Sequence, residues 1–205
     1  MGDYNLAGLN PRDFEHLIQA LAMQVIAPGV MPFGDGPDGG REATYKGKMH
    51  YPSVTEPWEG YLVLQAKFRV RPKGDPIQDG EWALEQLKQD LLKFADPERK
   101  LPAPDYYIFV TNVVLTPVQN TGSKDKVVAL LEQQKVVLGL KGYDVWDFDK
   151  LCRFLDAQPE IRARYAGFIT AGDVLAKMME LLQGQAPDFA QVMAVFLQNE
   201  LRADQ

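Results

Sequence analysis

The order of apolar patterns in this chain of 205 residues predicts an α/β fold, a mixed β-sheet with helices on its faces. Three observations carry that expectation. An amphipathic helical stretch opens the chain, with Phe14, Leu17, Ile18, Leu21 and Val25 at helical spacing. Two strand-like segments, 43–51 and 61–70, follow as a hairpin. Helical and β-prone segments then alternate: helix 81–95, strand 106–114, helix 126–138, strand 143–148.

Each element has its own local reason. Asn10-Pro11-Arg12-Asp13 starts the first helix, with Asn as N-cap, Pro at the first helical position and an acid in the first turn. Residues 28–40 are rich in Gly and Pro, which suits a tight turn or a close approach of backbone to a ligand. The connection 52–60 is long and Pro-rich, so it is expected to project as a loop. Trp58 within it is placed either to stack on a base or to pack down on the sheet, and packing is the commoner fate. Leu84, Leu87, Leu91 and Phe94 line one face of the next helix. The run Tyr106-Tyr107-Ile108-Phe109-Val110 is strongly β-prone and reads as a central strand. Gly139 or Gly142 stops the third helix. Beyond Asp149 the chain reads as helical, at 149–157, 159–165, 171–182 and 188–201, with Met178, Met179 and Met193 as packing residues. The organisation expected is a domain over 1–150 and a helical extension over 151–205.

The second strand carries the chemistry. Leu62, Leu64, Ala66 and Phe68 fall on one face and Val63, Gln65 and Lys67 on the other. A strand that hides one face and offers an amide and an ammonium on the other is shaped for a site. The turn Pro37-Asp38-Gly39-Gly40-Arg41-Glu42 precedes it. If that turn returns Asp38 or Glu42 to the Gln65 face, hard oxygen ligands and a lysine converge, a set that suits Mg²⁺ or Mn²⁺. The single cysteine, Cys152, excludes an internal disulfide framework and fits a reducing, intracellular compartment. His16 and His50 are far apart in sequence and read as structural or surface residues. No stretch of about 18 apolar residues exists, which argues against a membrane span. No secretory signal is visible, so a cytoplasmic location is expected.

The net charge of −6 argues against a general nucleic-acid-coating protein. Residues 41–73 differ, with seven basic and three acidic side chains and a local charge of +4. Arg41, Lys46, Lys48, Arg69, Arg71 and Lys73 would leave a positive patch around the site, able to attract a polyanion. The plain alternative is a solvated hairpin.

The ordered set of Glu15, then Asp38-Gly39-Gly40-Arg41-Glu42, then Gln65-Ala66-Lys67 resembles the PD-(D/E)xK nuclease superfamily, and within it the Mrr-type restriction endonucleases. The likeness spans roughly residues 10–112. Glu42 stands where Asp is usual, and Gln65 is a weaker metal ligand than Glu. The resemblance implies a restriction-endonuclease-like fold and Mg²⁺-dependent hydrolysis of double-stranded DNA. It implies Asp38, Glu42, Gln65 and Lys67 as catalytic residues, and Glu15, Asp38, Glu42 and Gln65 around the metal. Residues 143–175, with Trp146-Asp147-Phe148-Asp149 and Ala171-Gly172-Asp173-Val174-Leu175, look like the segment that joins such a nuclease to the NTPase of bacterial antiviral STAND or NACHT proteins. That resemblance implies an effector domain that forms homo-oligomers through a downstream NTPase. Two other readings stand beside it: a nucleic-acid-binding module without cleavage, and a protein-interaction or assembly domain.

Overall fold

The computed structural model describes residues 4–32, 43–96, 98, 101–118 and 121–169. The helices expected at 171–182 and 188–201, with their methionines, lie outside the described residues. Five strands form one mixed sheet in sequence order: β1 (Met31–Pro32), β2 (Ala43–Pro52), β3 (Pro57–Lys67), β4 (Tyr106–Thr111) and β5 (Gly142–Trp146). The first three pair antiparallel and the last three parallel. The parallel pairs need crossover connections, and α2 (Pro76–Ala95) and α3 (Ser123–Leu138) supply them.

Helices cover both faces. On one side, α1 (Pro11–Val25), α4 (Phe148–Ala157) and α5 (Pro159–Ile169) share an apolar cluster with Leu62, Leu64, Ala66, Ile108 and Trp146. On the other, α2 and α3 pack with Val63, Tyr107, Phe109 and Val145. The two clusters sort the residues of β3 and β4 by parity, as alternation along a strand requires. Burial on both faces explains why β4 reads as a continuous apolar run.

Local chemistry sets the ends of the elements. Asn10 Oδ1 accepts from the Asp13 amide at 2.9 Å and Pro11 follows it, so α1 begins where the sequence places it. Gly139 takes a left-handed conformation (φ 70°) and ends α3. Between α2 and α3, a β-carbon on Gly80 would lie 2.2 Å from Ser123 Cβ, so that crossing admits only glycine.

Several expectations change. The connection expected over 52–60 is mostly strand. Register runs from Ala43↔Leu64 to Pro52↔Pro57, leaving only 53–56 as the turn. Trp58 stacks on Tyr106 at 4.5 Å and meets Tyr51 edge-on at 5.1 Å, so it packs on the sheet. Helix α2 begins five residues earlier than expected, capped by Asp75 with Pro76 next. Strand β3 ends at Lys67 rather than 70, and β4 at Thr111 rather than 114. Helix α3 starts at Ser123 rather than 126. The strand expected to reach 148 stops at Trp146, because Asp147 caps α4 through the Lys150 amide. The packed unit also continues past 150. Leu151, Leu155, Ile161 and Ile169 belong to the α1 cluster, and the Asn5 amide donates to the Ile169 carbonyl at 2.7 Å.

Candidate functional site

Gln65 and Lys67 lie on the face of β3 turned toward α2. Gln65 is fully buried, and Lys67 ends the strand with its side chain 19% exposed. Across the parallel pair, Phe109 stands opposite Gln65 and Thr111 opposite Lys67. Lys67 therefore sits at the carboxyl edge of the parallel strands, where open α/β sheets characteristically receive ligands.

A residue that the sequence reading missed organises this corner. Asp90 of α2 is 2% exposed and lies between two ammonium groups. Its Oδ1 accepts from Lys93 at 2.6 Å. Its Oδ2 is 2.9 Å from Lys67 Nζ, an ion pair without an aligned hydrogen bond among the described residues. The signal was present in the sequence. Ala83, Leu87, Leu91 and Phe94 form the buried stripe of α2, and Asp90 falls on that stripe. A carboxylate there needs a cation, because an unpaired buried charge is costly.

Two more polar atoms are enclosed on this face. The Tyr107 hydroxyl and Thr111 Oγ1 are buried with no hydrogen-bond partner among the described residues. Burial first, and then the nearby charge of Asp90, push the Tyr107 phenol well above its ordinary range, so it stays protonated.

The remaining expected site residues are distributed unevenly. Glu15 is half-buried on α1, the helix that covers the Leu62, Leu64 and Ala66 face, opposite the side of Lys67. Asp38, Arg41 and Glu42 lie outside the described residues. Arg69 is engaged within the fold: Nε is 2.9 Å from Asp79 Oδ1, one terminal nitrogen donates to the Gln78 carbonyl at 3.1 Å, and its guanidinium lies over the Trp82 ring. Asp79 in turn accepts from the amides of Lys73 and Gly74, fixing the link between β3 and α2. Arg71 and Lys73 are exposed on that link. Lys46 and Lys48 are exposed and pair with Tyr61 and Glu59. They share the Lys67 face but stand six and eight residues back along β3, about 20 and 26 Å away. The basic residues thus form two groups at opposite ends of the strand. His16 and His50 are exposed, and Cys152 is buried.

Among the described residues no three His, Cys, Asp or Glu side chains converge as a metal centre. Side-chain oxygens on this face include the Gln65 amide, the Tyr107 and Thr111 hydroxyls and the Asp90 carboxylate that two ammoniums already hold. By themselves these do not fit a divalent ion; carboxylates from Asp38 or Glu42 would be required. No known protein family, curated protein or solved structure matches this chain.

Proposed function

We propose that this domain is a metal-dependent DNA endonuclease of restriction-endonuclease-like fold. The observation that carries the reading is Lys67: an ammonium at the carboxyl edge of β3, one step beyond a buried amide on the same face. Helix, antiparallel hairpin, crossover helix and parallel strand follow in an order consistent with it. The sequence motif adds Asp38 and Glu42, which with Gln65 would hold Mg²⁺, with Mn²⁺ as a substitute; Glu15, on the helix that covers the other face of the sheet, drops out of the expected ligand set. A bound ion of this kind lowers the pKa of a water and neutralises charge on the scissile phosphate. Lys67 would stabilise the negative charge that grows on the phosphate oxygens as water attacks. The likeness to antiviral effector domains makes a cytoplasmic antiphage role, driven by assembly through a downstream NTPase, the biological setting we propose.

The test is incubation of supercoiled plasmid with the purified protein. Nicked and linear products are expected in Mg²⁺ and none in EDTA. Lys67→Ala should lower the rate by about 10²–10³-fold with an unchanged circular dichroism spectrum. Full activity in EDTA or in Lys67→Ala would sink this mechanism. One observation favours a second reading, a module that binds nucleic acid without cutting it. Asp90 already neutralises part of the charge of Lys67. Salt-sensitive duplex binding with no cleavage in Mg²⁺ or Mn²⁺ would select it.

A further inference from the structure

We propose that Lys93 is a second phosphate-contacting residue of this site, and that Asp90 is the positioning residue that holds Lys93 and Lys67 together as a clamp for the nucleic-acid backbone. The proposal rests on the nuclease or binding reading above, and it concerns a part of the site that no motif includes.

The geometry carries it. One buried carboxylate receives two ammoniums, one on each oxygen. The cluster of Lys67, Lys93 and Asp90 therefore bears a net charge of +1. Both lysine side chains keep partial exposure, 19% and 27%, while Asp90 keeps almost none. The positive ends thus face outward and the negative charge lies beneath them. Each ammonium has three N–H donors and gives at most one to Asp90, so donors remain for an incoming oxyanion. A phosphodiester presents two unesterified oxygens and can accept from both lysines at once. A second feature of the same corner points to a ligand or its water. Thr111 Oγ1, opposite Lys67 in the strand register, is buried without a partner among the described residues. Asp90 has a purpose in this arrangement beyond pairing. Two ammoniums so close would repel each other and turn apart; the carboxylate between them holds both aimed at one place.

The experiment measures binding of a fluorescent 20-base-pair duplex in EDTA across a range of NaCl concentrations. A lysine that touches a phosphate contributes about 0.9 to the slope of log affinity against log salt. Lys93→Ala is expected to reduce that slope by about one, and Lys93→Arg to restore it. Lys88→Ala, an exposed lysine on α2 off the stripe that carries Asp90, should leave the slope unchanged. Asp90→Asn separates positioning from charge. It adds one positive unit, so charge alone predicts tighter binding, whereas a lost clamp predicts weaker binding. Unchanged slope in Lys93→Ala, tighter binding by Asp90→Asn, or no duplex binding by the wild-type chain would each overturn the proposal. The nuclease reading is judged separately. An intact Lys93 effect without cleavage in Mg²⁺ removes the nuclease and keeps the clamp. Cleavage with no Lys93 effect removes the clamp and keeps the nuclease.

Discussion

Asp90 is a buried charge with two cationic neighbours, and that redundancy governs what single substitutions do. Lys67→Ala leaves Asp90 bonded to Lys93, and Lys93→Ala leaves it paired with Lys67. Each single change should cost about 1 kcal/mol, the scale of one partly exposed ion pair. Removing both strands an acid that is 2% exposed. An uncompensated buried charge costs about 3–5 kcal/mol. We therefore expect the double variant to lose about 1–3 kcal/mol more than the sum of the singles. Urea unfolding of the four proteins gives the coupling directly, provided that the slope with denaturant stays constant. Additive losses would mean that Asp90 finds another partner when both lysines are gone. The same redundancy lets Lys67→Ala test catalysis without a large stability loss, since the apolar face of β3 is untouched by the change.

Among elements, the start of the parallel sheet depends on Asp105. Its side chain accepts from the Tyr61 amide at 2.7 Å, its own amide donates to the Tyr61 carbonyl at 2.8 Å, and its carbonyl accepts from the Lys141 amide at 2.7 Å. Lys141 Nζ adds an ion pair at 3.0 Å. One residue thus joins β3, β4 and the approach to β5. The Tyr61 amide first, and then Lys141, hold the Asp105 carboxyl below the usual carboxylate range. A depressed pKa in the folded state stabilises above the unfolded pKa and fades as pH falls through the folded one. Wild type should therefore melt above Asp105→Asn by a constant margin from pH 7 down to about 4, and the margin should shrink below that. A margin independent of pH down to 2 would show that the charge of Asp105 is not what matters. Elements with long periodic patterns were legible in the sequence: α1 with its Asn-Pro start, the apolar run of β4, and the glycine that ends α3. The start of α2 was also written there, as Asp75-Pro76, but the apolar stripe becomes regular only later in the helix. The hairpin was misjudged because Pro52 and Pro57 look like loop residues, whereas the register keeps both at its turn end. At the site, strand alternation placed Gln65 and Lys67 on one face. The helical pattern does place Asp90 on the apolar stripe of α2, but the cation it meets on β3 depends on a tertiary contact that no local pattern encodes.

For the whole molecule, charge and packing set different limits. A chain of net charge −6, in which the described members of the expected basic patch fall in two groups at opposite ends of β3, should hold duplex DNA weakly and lose it steeply with salt. Clustering of copies would then raise the effective concentration of sites, which is why an assembling partner fits the nuclease reading. Packing decides where the folded unit closes. The sequence places a boundary near 150, where the strands end and helices take over. The core does not end there. Leu151, Leu155, Ile161 and Ile169 are buried against α1 and the sheet, and the Asn5 amide, near the start of the chain, donates to the Ile169 carbonyl. Truncating one such buried side chain to alanine costs about 2–5 kcal/mol. Losing four at once, about 8–20 kcal/mol, is as large as the about 5–15 kcal/mol that holds a typical domain together. A chain ending at residue 150 should therefore be insoluble or unfolded. One ending at residue 170 should retain a cooperative thermal transition. Circular dichroism melts of the two truncations, beside the full chain, decide it. A folded 1–150 fragment with a melting temperature near that of the full chain would show that α4 and α5 are an appendage rather than part of the core.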